Sequence, residues 1–362
     1  MENLHTYVCG KSGSGKSTFI KNEILAEIEQ RDRAVFFIDP HGEDALDLLD
    51  AIPSDLTEKT CYVDLSDSYY AVGFNPISNP VHCLSGLKSI WHESWGPRME
   101  WLLLNGLHVI HENDATLEHL TPLYFDSLHR SRMLRNVTKK STLKFWAKEF
   151  PLKYEKSKDN PDSPILNKIG QLLASDISRN LCQRHPKLDF VQALREKHIV
   201  VVNLSKPTIG DEAAAIFGSL FTTTLRAALL EHPTPASLYA DEFQTYGTSL
   251  FSSMLSEMRK FGLKMVLAHQ FISQIDPKLQ KAILGNAARK IIFNVDHDDA
   301  VVLGAAYNRN LEAFNPNVLT DLAPFTALID GVRHTLPPFD PRKRGRLPVI
   351  LERSRRRFGR KA

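Results

Sequence analysis

From Gly10 to Ser17 the chain reads Gly-Lys-Ser-Gly-Ser-Gly-Lys-Ser, which meets the spacing GxxxxGK[ST] at every fixed position. Glycines at Gly10, Gly13 and Gly15, with Ser12 and Ser14 between them, let successive backbone N–H groups turn toward phosphate oxygens. A helix opening at the lysine would present its positive dipole end to the same anion. Lys16 is then placed to reach the β- and γ-phosphates, Ser17 to ligate Mg²⁺, and Thr18 to close the loop. These residues predict a site for a nucleoside triphosphate and its magnesium ion.

Hydrolysis needs more than a cradle: one carboxylate for the metal and another to orient water. Ser237-Leu238-Tyr239-Ala240-Asp241-Glu242 supplies both at the end of a short apolar run. Asp241 would hold Mg²⁺ through its water shell and Glu242 would polarise the attacking water. Asp39, which also ends an apolar run, is the fallback metal ligand. Further on, the run Lys264 to Ala268 leads into His269-Gln270, and a glutamine there is either an ordinary exposed strand-end residue or a contact for the γ-phosphate. Arg259, on the helix before that run, is placed either as an ordinary solvated cation or to stabilise transition-state charge in a neighbouring subunit. A guanine-specific enzyme would want Asn/Thr-Lys-x-Asp, and the nearest string, Asn167-Lys168-Ile169-Gly170, lacks the aspartate. Small-molecule kinases share the glycine loop without needing the Asp-Glu pair.

The elements that must position these groups follow from hydrophobic pattern. Tyr7 to Cys9, Ala34 to Asp39 and Thr60 to Leu65 read as buried strands, as do His198 to Leu204, Ser237 to Ala240, Lys264 to Ala268, Lys290 to Val295 and Phe325 to Ile329. Short runs rich in Val, Ile and Phe, separated by helical spacing, predict an α/β fold with a mainly parallel sheet. Between about Cys83 and Glu196 strand-like runs vanish, which predicts an all-helical insertion at 83–196, interrupted by a polar loop from Tyr154 to Pro164. The core is then expected at 1–82 and 197–338, with a basic tail at 339–362.

A chain of 362 residues can bury a sizeable core. In Ala213 to Leu230, apolar side chains from Ile216 to Leu229 recur three to five apart around Arg226, so this stretch reads as a core helix and no membrane segment is expected. The opening residues include Glu2 and His5 and run straight into the glycine loop, which predicts a soluble, cytoplasmic protein. Cys9, Cys61, Cys83 and Cys182 are too far apart for a CxxC motif and read as buried small hydrophobes. The net charge of +3 hides an asymmetry: 342–362 carries ten Lys or Arg against Glu352, while the rest of the chain is net −6. Such a tail is either a solvated terminus or a contact for a nucleic-acid backbone.

Taken in order, GKSGSGKST (10–18), IDPHGE (38–43), GFNPI (73–77), WGPRME (95–100), VVNLSKPTIGDEAAAIFGSL (201–220), LYADEFQTY (238–246), MRKFGLKMVLAHQ (258–270) and LGNAARKIIFNV (284–295) resemble the HerA/FtsK superfamily of pumping ATPases. The likeness covers nearly the whole chain and is closest to the branch of conjugative coupling proteins and type IV secretion ATPases. It implies a RecA-like P-loop core, a helical domain inserted after the third strand, ATP sites at subunit boundaries of a hexameric ring, and DNA driven through a central channel. It implies a γ-phosphate sensor at Gln270 and an arginine finger at Arg259, with Arg98 and Arg289 as lesser candidates. A relaxase or a secretion channel would be the partner. HerA-like proteins usually carry a small β-barrel, and coupling proteins membrane helices, where this chain has nine residues before Gly10, so neither is expected. The expected function is an ATP-dependent DNA translocase; the alternatives are a secretion ATPase moving protein cargo and a nucleotide-switched scaffold.

Overall fold

Runs that are apolar at nearly every position need cover on both faces, and that is how they are used. In the computed structural model, which describes residues 5–155, 163–246, 248–307, 315–339 and 345–361, nine strands form one sheet. They are β1 (Thr6–Cys9), β2 (Ala34–Asp39), β3 (Thr60–Asp64), β5 (Ile199–Asn203), β6 (Ala236–Ala240), β7 (Leu263–His269), β8 (Arg289–Ile292), β9 (Thr326–Ile329) and β10 (Val332–Thr335), in the order β10-β9-β8-β1-β7-β6-β2-β5-β3. All neighbours from β8 to β3 run parallel; β9 and β10 turn antiparallel at one edge. The eight strands read from the sequence are all present, with ends shifted by a few residues.

Alternate side chains of each strand enter different cores. Val35 and Phe37 of β2 pack with Phe19, Ile20 and Ile24 of the helix Lys16–Gln30 and with Leu48 and Leu49 of the helix Glu43–Ala51. Phe36 and Ile38 face the other way, where Phe36, Phe74, Phe190 and Phe221 form a ring cluster with centroids 4.9–6.2 Å apart. That second layer is built on the helix Asp211–Glu231, which is long and apolar enough to cross a membrane but has 78% of its most apolar window buried inside the protein. It serves here as a core helix. All four cysteines are free.

Between 73 and 198 the described residues hold helices and turns and no strand, beginning at Pro80–Ile90 and ending at Phe190–Glu196. Both end helices pack on the core: Gly86 meets Thr223 of the long helix, and Phe190 joins the ring cluster. The polar Tyr154–Pro164 loop lies largely outside the described residues.

The basic tail departs from the expectation of a solvated appendage. Leu347–Phe358 is a helix whose buried residues, Ile350, Ser354 and Phe358, recur four apart. Its arginines pair with the acidic body: Arg353 with Glu58 at 3.2 Å, Arg355 with Asp67 at 2.7 Å and Arg357 with Glu196 at 3.3 Å. Ser354 Oγ accepts the Tyr62 N–H at 2.8 Å and donates to the Tyr62 carbonyl at 3.3 Å, satisfying the outer side of the edge strand β3. The chain then ends in β11 (Gly359–Lys361), antiparallel to β4 (Tyr70–Val72). Arg342, Lys343 and Arg344 lie outside the described residues.

Candidate active site

A loop can wrap an anion only if its backbone can approach closely, and the two glycines flanking this one are pressed against neighbours. A Cβ on Gly10 would lie 2.5 Å from Phe293 Cβ, and one on Gly15, at φ +114°, would lie 3.1 Å from Phe325 Cα. β1 delivers the loop at its C-terminal end, and the helix Lys16–Gln30 leaves it with no side chain capping its first turn and no acidic residue there. Its leading N–H groups and positive dipole end therefore remain available to an anion. Lys16, nearly buried, donates from Nζ to the carbonyls of Gly10 and Lys11 at 2.6 and 3.1 Å. Ser14 Oγ is buried without a hydrogen-bond partner in the same loop, while Ser12 and Gly13 are exposed and Ser17 and Thr18 half-buried.

β6 ends at Ala240, two strands from β1, and carries Asp241 and Glu242 to the same, C-terminal, end of the parallel strands. Burial, then the neighbouring charges of Glu242 and Asp39, push the Asp241 carboxyl up to about 8, and the Lys16 ammonium pulls the other way. Loop lysine and strand-end carboxylate thus sense each other's charge. Besides Lys16, the charges acting on Asp241 are acidic, those of Glu242, Asp39 and Asp44, so a cation brought beside it would favour its carboxylate form. Glu242 sits at φ +42°, a left-handed backbone that a non-glycine residue holds only under local constraint. The constraints are its N–H on Asp241 Oδ1 at 3.0 Å, the Gln244 amide donating to its carboxylate at 2.5 Å, and the Tyr246 hydroxyl donating to the Asp241 carbonyl at 3.0 Å. Tyr246 reaches that carbonyl because Gly218 lets its ring in; a Cβ there would be 2.8 Å from Tyr246 Cβ.

Asp39 has other work. Its oxygens accept the His41 and Ala45 N–H groups at 2.9 and 2.8 Å, so it holds the turn into the helix Glu43–Ala51. Among the described residues no group of three or more His, Cys, Asp or Glu is arranged as a self-sufficient metal site.

β7 lies between the loop strand and the carboxylate strand, and its register sets His269 opposite Cys9. Gln270 is the next residue, level with the start of the loop. Arg259 is exposed on the turn Met258–Phe261 before β7, near His5, at the far end of β1 from the loop. Arg289 begins β8 at that same far end, pairs with Glu23 at 3.0 Å and covers the Phe19 ring. Arg98 is exposed, with its guanidinium 5.1 Å from the Tyr154 ring. So Lys16, Asp241, Glu242 and Gln270 all lie at the C-terminal ends of three adjacent central strands, and the three arginines do not join them.

Three supports escaped sequence reasoning. Asn294 accepts the Lys11 N–H at its carbonyl, 2.8 Å, and its side chain donates to the Thr320 and Leu322 carbonyls. Asp299, fully buried, takes the Ile272 and Ser273 N–H groups at 2.9 and 3.1 Å, fixing the segment that leaves Gln270. Phe325 donates its N–H to the Ser14 carbonyl at 2.8 Å. Only the helix start at Asp296-His297-Asp298-Asp299 left a trace in sequence, as an N-terminal acidic cluster.

Residues 235–303, from the start of β6 into the helix His297–Tyr307, match the family model described as the TraM recognition site of TraD and TraG. The whole fold is similar to the bacterial conjugative coupling protein TrwB, whose unbound form aligns over 94% of this chain and 86% of its own with a TM-score of 0.62 at 14% identity. The fold is that of the coupling protein TrwB. TrwB in complex with ADP and Mg²⁺ aligns over the same shares with a TM-score of 0.63 at 15% identity. VirB4 of Thermoanaerobacter pseudethanolicus aligns over 92% of this chain and 89% of its own, with a TM-score of 0.62 at 13% identity. No curated protein matches the sequence. The likeness to the coupling-protein and type IV secretion branch, and the RecA-like α/β fold it implied, are thus borne out.

Proposed function

We propose that the chain is an ATP-dependent motor that moves DNA in conjugative or other mobile-element transfer, or in DNA processing, working as a ring with hexameric order. The observation that carries this reading is the meeting of Lys16, Asp241, Glu242 and Gln270 around one glycine loop, in the coupling-protein fold. The loop's uncapped helix, the unpartnered Ser14 Oγ and the acidic surplus fit a magnesium-bound triphosphate.

In this reading Gly10 to Thr18 hold the phosphates, and Lys16 leaves its two carbonyl partners to meet the β- and γ-phosphate oxygens. Ser17, and Asp241 through water, would hold Mg²⁺, which when bound neutralises charge on those oxygens. Glu242 orients the attacking water and accepts its proton. Gln270 contacts the γ-phosphate and passes its loss to the segment clamped by Asp299. Arg259 completes the site of a neighbouring copy.

The Lys16→Ala and Glu242→Gln variants test this. Lys16→Ala should lose nucleotide binding, whereas Glu242→Gln should keep it and hydrolyse about 10²–10⁴-fold more slowly. Hydrolysis that no DNA stimulates would remove the DNA motor. A protein cargo is the second reading, favoured by the equally good fit to VirB4. It would be supported if DNA binding lacked the roughly 0.9 log-unit salt slope expected per phosphate contact.

A further inference from the structure

Large aromatic side chains left in solvent are ordinary when scattered, but Phe325 is neither scattered nor loosely placed. It is 42% exposed and sits at φ +60°, in the left-handed region that disfavours a side chain. Its N–H is bound to the Ser14 carbonyl of the phosphate loop and its own carbonyl accepts the Leu336 N–H, both at 2.8 Å. Its Cα and ring edge would each lie 3.1 Å from a Cβ on Gly15. Just before it, the Thr320 and Leu322 carbonyls are tied to the Asn294 side chain, whose backbone carbonyl holds Lys11. The fold therefore fixes an exposed flat ring against the loop at a conformational cost that a glycine would avoid.

The side of the loop on which this ring lies gives it a use. Strand order runs β9-β8-β1-β7-β6, so the groups assigned to the γ-phosphate, Gln270 and Asp241-Glu242, follow strands on one flank of β1. Phe325 opens β9 on the other flank. A triphosphate lying across the loop with its γ-phosphate toward β7 and β6 sends its sugar and base toward β8 and β9.

We infer that the Phe325 ring is the stacking platform for the nucleobase, an inference that rests on the nucleotide site proposed above. A π-face contact reads ring area rather than hydrogen-bond pattern, so purine triphosphates bind alike and better than pyrimidine ones.

The test uses the full-length protein and measures binding of Mg-ATP and of Mg-tripolyphosphate, which has no base, by calorimetry. Phe325→Gly suits the positive φ and should fold at least as well as the parent, shown by an unlowered thermal midpoint. It should bind ATP about 5- to 100-fold more weakly and tripolyphosphate unchanged, with Phe325→Tyr restoring ATP affinity. Unchanged ATP affinity in Phe325→Gly would overturn the inference. So would equal loss for both ligands, since the ring would then only shape the loop. If the parent protein binds neither ligand, the nucleotide site itself is wrong and the inference goes with it.

Discussion

Arg259 and Lys16 lie beyond opposite ends of β1, so in the proposed ring this arginine would serve the nucleotide of a neighbouring copy. That geometry gives a sharp expectation for mixed assemblies. Arg259→Ala and Glu242→Gln should each be inactive alone. In a random equal mixture, about a quarter of head-to-tail junctions pair an intact Glu242 with an intact neighbouring Arg259. Mixing should therefore recover hydrolysis toward that fraction, read as phosphate release against mixing ratio; no recovery at any ratio would remove Arg259 from the reaction. The residues of the candidate site were legible because the chemistry proposed for them demands fixed spacing along the chain or a strand end. Asp299 and Phe325 were not, because what they do depends on which segments the fold brings beside them. Asp39 shows the converse: a strand-end aspartate is as well suited to capping a turn as to holding a metal, and pattern alone does not separate the two.

The tail helix makes the clearest case at the level of elements. Ser354→Ala would leave the buried Tyr62 N–H without its acceptor, and the expected cost is about 1–3 kcal/mol. Urea denaturation should show a lower midpoint with an unchanged slope. Arg356→Ala, an exposed position on the same helix, should change stability by less than about 0.5 kcal/mol. The strands of the sheet were readable because a strand covered on both faces must be apolar throughout. β4 and β11 were not, being three residues long, with Arg360 and Lys361 of β11 exposed. β10 had left a signal that went unused: Asp330 and Gly331, at φ +48° and +91°, form the two-residue turn that a tight hairpin prefers. The tail's reading as a solvated terminus failed because counting charges gives their number and not their partners. Arg353, Arg355 and Arg357 answer the body's acidic surplus rather than facing away from it.

For the whole molecule, acid is expected to act through His5. Nearly buried, it accepts the Met265 N–H at Nδ1, 3.1 Å, and burial, with Arg259 nearby, lowers its pKa from 6.5 to about 4. Because the folded value is depressed, its contribution is full above about pH 6.5 and lost as pH falls toward 4, where the unfolded chain binds the proton and the folded one resists it. The destabilisation caused by His5→Phe should accordingly be largest near pH 8 and shrink by pH 5, in thermal midpoints taken across that range. The two margins of the sheet are also unlike each other. On one side β3 is closed by the helix Leu347–Phe358, while β10 on the other has four exposed residues and no described strand beyond it. Two copies can join by laying their open margins together, and the joined sheet then ends in a sealed margin at both sides. Backbone pairing of this kind stops at a dimer and does not propagate into a fibre along the sheets.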